Sequence, residues 1–157
     1  MSTSVVSIYT DGSCNQSTNR GGWAAIILIG EEKKILQGHQ SDTTHQRMEL
    51  TAAIESLRYL EEQNSITSQI VIYTDSQYLA GLPERREKFK ASAYLTKKKQ
   101  PIANDDLVRI IVSFCDTLPI TFVKVKAHQK PSAEENLNRE ADILSRKIVR
   151  AELPLRS

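Results

Sequence analysis

One short run of residues occurs twice in this chain, since residues 8–11 and 72–75 both read IYTD. Each run ends in an acid, Asp11 or Asp75, which is a poor residue to follow Ile and Tyr in a strand. If the two runs form adjacent parallel strands in the same register, equivalent side chains share a face and the carboxylates lie close together. Such neighbours repel, so a pKa rises or the fold is destabilised unless a divalent cation neutralises them. Oxygen ligands without cysteine or histidine spacing select Mg²⁺ or Mn²⁺.

The two aspartates also have a plainer explanation. An aspartate at the end of a strand is commonly a turn residue or a helix cap, and both Asp11-Gly12 and Asp75-Ser76 resemble turns. The repeated run alone therefore leaves both explanations open.

Two further acids lie beside predicted apolar helix faces. Glu49 precedes Leu50 in THQRMEL, where we predict the first turn of a long helix, and Asp142 follows Ala141 in NREADILSR. Side chains at these margins can point toward a sheet rather than toward water. The alternatives are that Glu49 complements the helix dipole and that Asp142 is a solvated charge.

The elements that must position these acids follow from hydrophobic periodicity. Strands are predicted over residues 5–11, 23–30, 34–40, 69–75 and 120–127, and helices are predicted from Thr43 or Thr44, over 105–115 and from Leu137. Residues 31–34 are predicted to form a turn, and Pro83 to stop a short helix that begins near Ser76. Short turns favour antiparallel pairing and helical connections favour parallel pairing. The predicted fold class is therefore α/β, a mixed five-stranded sheet with three antiparallel strands and then two parallel ones, flanked by helices.

Length and composition narrow the class of protein. A chain of 157 residues fits one domain, which we place at 1–157 as a self-contained unit with a loose tail from about residue 151. No window approaches the ~20 apolar residues that span a membrane, and the N-terminus lacks the pattern of a secretory signal. Cys14 and Cys115 have no metal-ligand spacing, so we expect two free thiols in a reducing cytoplasm.

Positive charge is concentrated between Pro83 and Gln100. Seven basic residues stand there against Glu84 and Glu87, which gives the stretch a net charge of +5 in a chain of net charge +2. They are Arg85, Arg86, Lys88, Lys90, Lys97, Lys98 and Lys99. The rest of the chain is consequently net negative, as an acid-lined metal site requires. A solvated surface is the ordinary explanation of such a cluster.

The motifs YTDGSC, RMEL, YTDSQY, KAH and NREAD, in this order, resemble type 1 ribonuclease H over nearly the whole chain. The resemblance implies a ribonuclease H-like fold. It also implies an endonuclease that hydrolyses the RNA strand of RNA–DNA hybrids and leaves 5′-phosphate and 3′-hydroxyl ends. Two Mg²⁺ ions, with Mn²⁺ as a substitute, are implied as cofactors. Their ligands would be Asp11, Glu49, Asp75 and Asp142, with Asp11 bridging the two ions.

The resemblance also implies roles for other residues. His128, in VKVKAHQKP, matches a loop histidine that assists proton transfer or product release. Contacts to the RNA backbone and minor groove are implied for Gly12, Ser13, Cys14, Asn15 and Gln77. Further substrate contacts, on the DNA side, are implied for Thr44, His45 and Gln46, where the family often has paired asparagines before RMEL.

The basic stretch matches a protrusion of the family that binds the DNA strand, at residues 84–100 here. Binding through it should weaken with salt, because contacts to phosphates release counterions. Several tryptophans are common in that protrusion, whereas the single tryptophan of this chain is Trp23, so we expect Phe89 and Tyr94 to replace part of the packing. The interval between His128 and Asp142 is longer than in many relatives and adds Glu134 and Glu135, which could lie near the metals.

Two other functions remain open at this point. The first is a module of the same fold that binds nucleic acid without cleaving it, and the presence of all four acids argues against it. The second is a nuclease of the same general fold that acts on branched DNA, whereas Gln77, the DGSC turn and the basic stretch favour hybrids. We expect a cytoplasmic monomer with an RNA–DNA hybrid as its partner and no association with a membrane.

Overall fold

The computed structural model describes residues 5–64, 69–130 and 136–151. Its strands are β1 (Val5–Asn15), β2 (Arg20–Ile29), β3 (Glu32–Gln40), β4 (Gln69–Thr74) and β5 (Ile120–Lys124). Its helices are α1 (His45–Glu62), α2 (Gln77–Ala80), α3 (Leu82–Ala91), α4 (Asp105–Thr117) and α5 (Leu137–Ala151). None of the helices in these described ranges is long and apolar enough to cross a membrane.

All five strands form one mixed sheet in the order β3-β2-β1-β4-β5. β1, β2 and β3 pair antiparallel, whereas β4 runs parallel to both β1 and β5, which confirms the predicted fold class. The register pairs Ile8 with Ile72 and Tyr9 with Tyr73, so the two IYTD runs lie side by side. The rings of Tyr9 and Tyr73 stack with their centroids 4.6 Å apart.

Helices cover both faces of the sheet. On one face, Ile8, Ile27 and Ile72 pack in a core shared with α1 and α4. On the other face, Ile26 packs against Leu137 and Ala141 of α5. Consecutive residues of β2 are therefore fully buried, as expected for a strand that is covered on both sides.

Several element boundaries differ from the predicted ones. β1 continues past Asp11 to Asn15, because the Asn15 side chain accepts hydrogen bonds from the backbone N–H groups of Ser17 and Thr18 and closes the following turn. β3 begins at Glu32, because a two-residue turn that starts at Gly30, with φ +60°, suffices to reverse the chain. β5 ends at Lys124, before the predicted end.

The prediction that Pro83 stops a helix is wrong. Gly81 ends α2, and Pro83 lies in the first turn of α3, where the missing N–H has no intrahelical partner to lose. Cys14 and Cys115 are free thiols, as predicted. The predicted tail beyond residue 151 and the loop acids Glu134 and Glu135 lie outside the described residues.

α1 approaches β1 very closely at Gly12. A Cβ atom at this position would lie 2.5 Å from the backbone nitrogen of Glu49 and 2.6 Å from the carbonyl carbon of Met48. Both neighbours are backbone atoms, so a side chain here must push the helix away from the strand. Gly12 therefore sets the distance between the strand that carries Asp11 and the helix that carries Glu49.

We predict that Gly12→Ala lowers the free energy of unfolding by about 1–3 kcal/mol, the usual cost of overpacking a close contact. Gly30→Asn is the matched control, because nothing lies within 4 Å of a Cβ there and asparagine tolerates the positive φ. The control should change stability little. Urea unfolding measures both, and equal losses would contradict a steric role for Gly12.

Candidate active site

Four acidic side chains from four elements line one cleft of about 440 Å³. Asp11 lies in β1, Glu49 in α1 and Asp142 in α5, while Asp75 follows the end of β4 directly. The in-register pairing of β1 with β4 brings the two aspartates of the repeated run to the same cleft. All four acids predicted from the sequence to form one site therefore meet.

The local structure of α1 carries Glu49 into this cleft. Thr44 is the N-cap and its Oγ1 accepts a hydrogen bond from the Arg47 N–H, so the helix begins at His45. Glu49 is then the fifth residue of α1, and the prediction that it lies in the first turn is wrong. Its side chain is only 3% exposed, so interaction with the helix dipole alone does not explain its position.

Two basic side chains, those of Arg146 and His128, hold Asp142. Arg146 donates from Nε to Oδ1 over 3.1 Å and from an Nη to Oδ2 over 3.2 Å. His128 Nδ1 lies 3.3 Å from the same Oδ2. Asp142 is 6% exposed, so it is a buried, oriented carboxylate and not a solvated charge.

A buried hydroxyl, from Ser145, links two of the acids. Its Oγ lies 3.2 Å from Asp11 Oδ2 and 3.0 Å from the backbone oxygen of Asp142. Our reasoning from the sequence missed both Ser145 and Arg146. The available signal was their spacing, because residues three and four positions after Asp142 lie on the same helix face.

Burial and mutual repulsion disfavour the ionised form of the acids in the cleft. Burial, and then the nearby carboxylates of Glu49 and Asp75, raise the pKa of Asp11 to about 9. Burial, and then Asp75, raise the pKa of Glu49 to about 9 as well. A divalent cation would reverse this preference, because it stabilises the ionised carboxylates.

The donor atoms suit such a cation. Glu49 Oε1 is buried and has no hydrogen-bond partner among the described residues, although a buried carboxylate oxygen normally has one. Asp11, His45 and Glu49 each offer one ligand atom, and these three atoms all lie within 4.8 Å of one another. Clustered carboxylate oxygens are the ligands that Mg²⁺ and Mn²⁺ prefer, so the residues present fit these ions.

The other predicted contact residues are distributed unevenly. Gly12, Ser13, Cys14, His45, Gln46 and His128 line the cleft. Asn15 and Thr44 are occupied with backbone groups as turn and helix caps, and Gln46 Oε1 accepts a hydrogen bond from Asn104 Nδ2. Gln77 begins α2 and is exposed.

The basic residues divide into two groups. Arg86 and Lys90 bind Asp116 of α4 at 3.2 Å and 2.7 Å, and therefore fasten α3 to α4. Arg85 lies over the ring of Phe89, which in turn stacks on Tyr94, so these aromatic residues do pack the segment. The remaining basic side chains, those of Lys88, Lys97, Lys98 and Lys99, are exposed.

We predict that the metal-free protein loses stability as the pH rises from about 4 to about 9. The ordinary pKa of an aspartate is 3.8, whereas the pKa of Asp11 in the folded protein is about 9. Between these two pH values the unfolded chain has released a proton that the folded protein retains, so stability falls as the pH rises. Asp11→Asn removes this penalty and should raise the free energy of unfolding at pH 8 by roughly 2 kcal/mol or more. The amide Oδ1 of the new asparagine can still accept a hydrogen bond from the Ser145 hydroxyl.

Urea unfolding in the presence of a chelator, at pH 5 and pH 8, measures this difference. Glu61→Gln, an exposed acid at the far end of α1, is the control and should follow the wild-type profile. If the free energy of unfolding of Asp11→Asn changes with pH as much as that of the wild type, the pKa of Asp11 is not raised in the folded protein.

Comparison with known proteins identifies the family of this chain. Residues 3–150 match the family model described as RNase H. A ribonuclease H of Moorella thermoacetica is 36% identical over 148 residues, which are 93% of this chain and 92% of the relative. A ribonuclease H of Ehrlichia canis is 38% identical over 142 residues, or 90% and 92% of the two chains.

Solved structures show the same fold. LC9-RNase H1, described as a type 1 RNase H with the type 2 active-site motif, superposes with a TM-score of 0.78 at 21% identity and covers 96% of this chain and 74% of its own. LC11-RNase H1, solved in complex with an RNA/DNA hybrid, gives a TM-score of 0.68 at 18% identity and covers 95% and 99%. The sequence relatives and the family match together show that this chain belongs to the ribonuclease H family and is a nuclease of the hydrolase class.

Proposed function

We propose that this chain hydrolyses the RNA strand of RNA–DNA hybrids by two-metal-ion catalysis and leaves 5′-phosphate and 3′-hydroxyl ends. The observation that carries the proposal is the convergence of four acids in one cleft of a ribonuclease H chain. The hybrid bound in the LC11-RNase H1 structure supports the class of substrate.

Asp11, Glu49, Asp75 and Asp142 would hold two Mg²⁺ ions, or Mn²⁺ in their place. When bound, the ions supply activation of water and stabilisation of the leaving 3′-oxygen. The chain's own task is to keep the ligands oriented before the ions arrive. Ser145 holds Asp11 and Arg146 holds Asp142 by the hydrogen bonds described above.

His128 is the group that we assign to proton transfer or product release. Its side chain is 71% exposed, so substrate can reach it, while Nδ1 lies against Asp142. The pairing leaves Nε2 as the nitrogen that would exchange a proton with the substrate or the product phosphate. His128 has a φ of +52°, so the loop backbone presents it from an uncommon conformation.

Recognition of a hybrid requires a protein to sense 2′-hydroxyl groups on only one strand. We propose that Gly12, Ser13, Cys14 and Gln77 contact the RNA strand and that His45 and Gln46 contact the DNA strand. Among the basic residues we propose Arg85, Lys88, Lys97, Lys98 and Lys99 as contacts to DNA phosphates. The internal contacts of Asn15, Thr44, Arg86 and Lys90 support a mainly structural role for these four. The cytoplasmic location and the monomeric state stay predictions.

We predict cleavage of only the RNA strand of a labelled hybrid, with Mg²⁺ or Mn²⁺ and not with chelator. Double-stranded DNA and double-stranded RNA are the substrate controls, and labelling before and after phosphatase treatment identifies the product ends. Asp11→Asn should abolish cleavage, because it removes a metal ligand, whereas Glu61→Gln should not. Near-normal turnover by Asp11→Asn would refute the metal-ligand role, and preferential cutting of DNA would refute the substrate assignment.

We predict that changing Lys97, Lys98 and Lys99 together to glutamine raises KM by about tenfold and lowers kcat less, since these side chains contact phosphates remote from the cleaved bond. The slope of log KM against log salt concentration should fall by up to about 3, near one for each lost phosphate contact. The matched control removes three positive charges elsewhere, by changing Arg58, Lys147 and Arg150 to glutamine. Equal effects in the two triple variants would mean that only net charge matters.

A further inference from the structure

His45 brings an imidazole nitrogen to a group of carboxylate oxygens. Its Nε2 lies 2.9 Å from Glu49 Oε2, and the ligand atoms of Asp11, His45 and Glu49 all lie within 4.8 Å of one another. Ligand atoms clustered in this way can hold one metal ion once the exposed His45 side chain moves closer, since first-row metal–nitrogen and metal–oxygen bonds are about 2.0–2.2 Å long.

The backbone enforces this arrangement. His45 and Glu49 are separated by four residues on α1, so they lie on the same helix face. The Thr44 cap fixes the start of that helix, and Gly12 lets it lie directly against the strand that carries Asp11. The contacts that position Glu49 therefore also place the His45 imidazole next to the acids.

A second observation indicates that this corner of the cleft is built for a ligand. Glu49 is 3% exposed, yet its Oε1 has no hydrogen-bond partner among the residues that the structure describes. A buried carboxylate oxygen without a partner costs free energy. An ion bound by Glu49 would supply the missing partner.

We propose that His45 completes a mixed nitrogen and oxygen metal site with Asp11 and Glu49, and that this site favours Zn²⁺ over Mg²⁺. Imidazole is a good ligand for Zn²⁺, whereas carboxylate and water oxygens suit Mg²⁺ and Mn²⁺. The inference rests on the proposed function, because it takes Asp11 and Glu49 as metal ligands.

The His45 side chain is 63% exposed, so it can turn from its hydrogen bond with Glu49 to an ion or to another ligand. Two other roles are therefore outcomes of the test. His45 would contact only the DNA strand, as the sequence predicts, or it would only hold Glu49 in place. Neither role gives the metal a nitrogen ligand.

Calorimetric titration of the full chain, without nucleic acid, with Zn²⁺, Mn²⁺ and Mg²⁺ separates these roles. His45→Asn should weaken binding of Zn²⁺ by at least about tenfold, the lower end of the cost of losing a partner of a metal ligand. Binding of Mg²⁺ should stay within about twofold, since no oxygen ligand is lost. Unchanged affinities, or equal losses for all three ions, would overturn the proposal.

Pulsed electron paramagnetic resonance of the Mn²⁺-bound chain gives an independent readout, because a coordinated imidazole nitrogen modulates the signal. The modulation should be present in the wild type, absent from His45→Asn and retained in His128→Asn, which removes the other imidazole of the cleft. Retention in His45→Asn, or loss in His128→Asn, would overturn the proposal.

Asp11→Asn tests the proposed function separately. It should weaken binding of all three ions, because it removes an oxygen ligand from the site. If it leaves every affinity intact, the acidic cleft is not the metal site and the proposed function fails. If it weakens all three while His45→Asn changes none, the proposed function stands and only the role of His45 fails.

Discussion

Repulsion among buried carboxylates is the constraint around which this protein is organised. Asp11 and Glu49 are 5% and 3% exposed, and each faces other acids across a cleft. Such an arrangement works against folding, since burial and like charge both disfavour the ionised state. The rest of the molecule has to supply the stability that holds these groups together.

The stability comes from the two cores, and the precision comes from a few polar and small residues. Layers of apolar side chains on both faces of the sheet fix the positions of β1, β4, α1 and α5. Gly12 then sets the separation of α1 from β1, and Ser145 and Arg146 orient two carboxylates by hydrogen bonds. These three residues contribute little to the cores, yet they determine where the acids point.

Apolar periodicity and the lengths of the connections predicted the five strands and their pairing directions, because these are local signals, whereas the resemblance to a family implied that the four acids form one site. Reasoning from the sequence missed contacts that depend on a tertiary partner. Asn15 closes a turn, and Arg86 and Lys90 bind Asp116, and no local pattern in the sequence reveals these contacts. Likewise, the importance of Ser145 appears only once α5 lies on β1.

The stacking of Tyr9 on Tyr73 has an evolutionary consequence. Alternate residues of a strand face opposite ways, so sliding β4 by one position along β1 would send Asp75 to the other side of the sheet while preserving most backbone hydrogen bonds. The same slip would move Ile70 and Ile72, which are fully buried, out of their core. Selection for folding and selection for turnover therefore act on one and the same strand alignment.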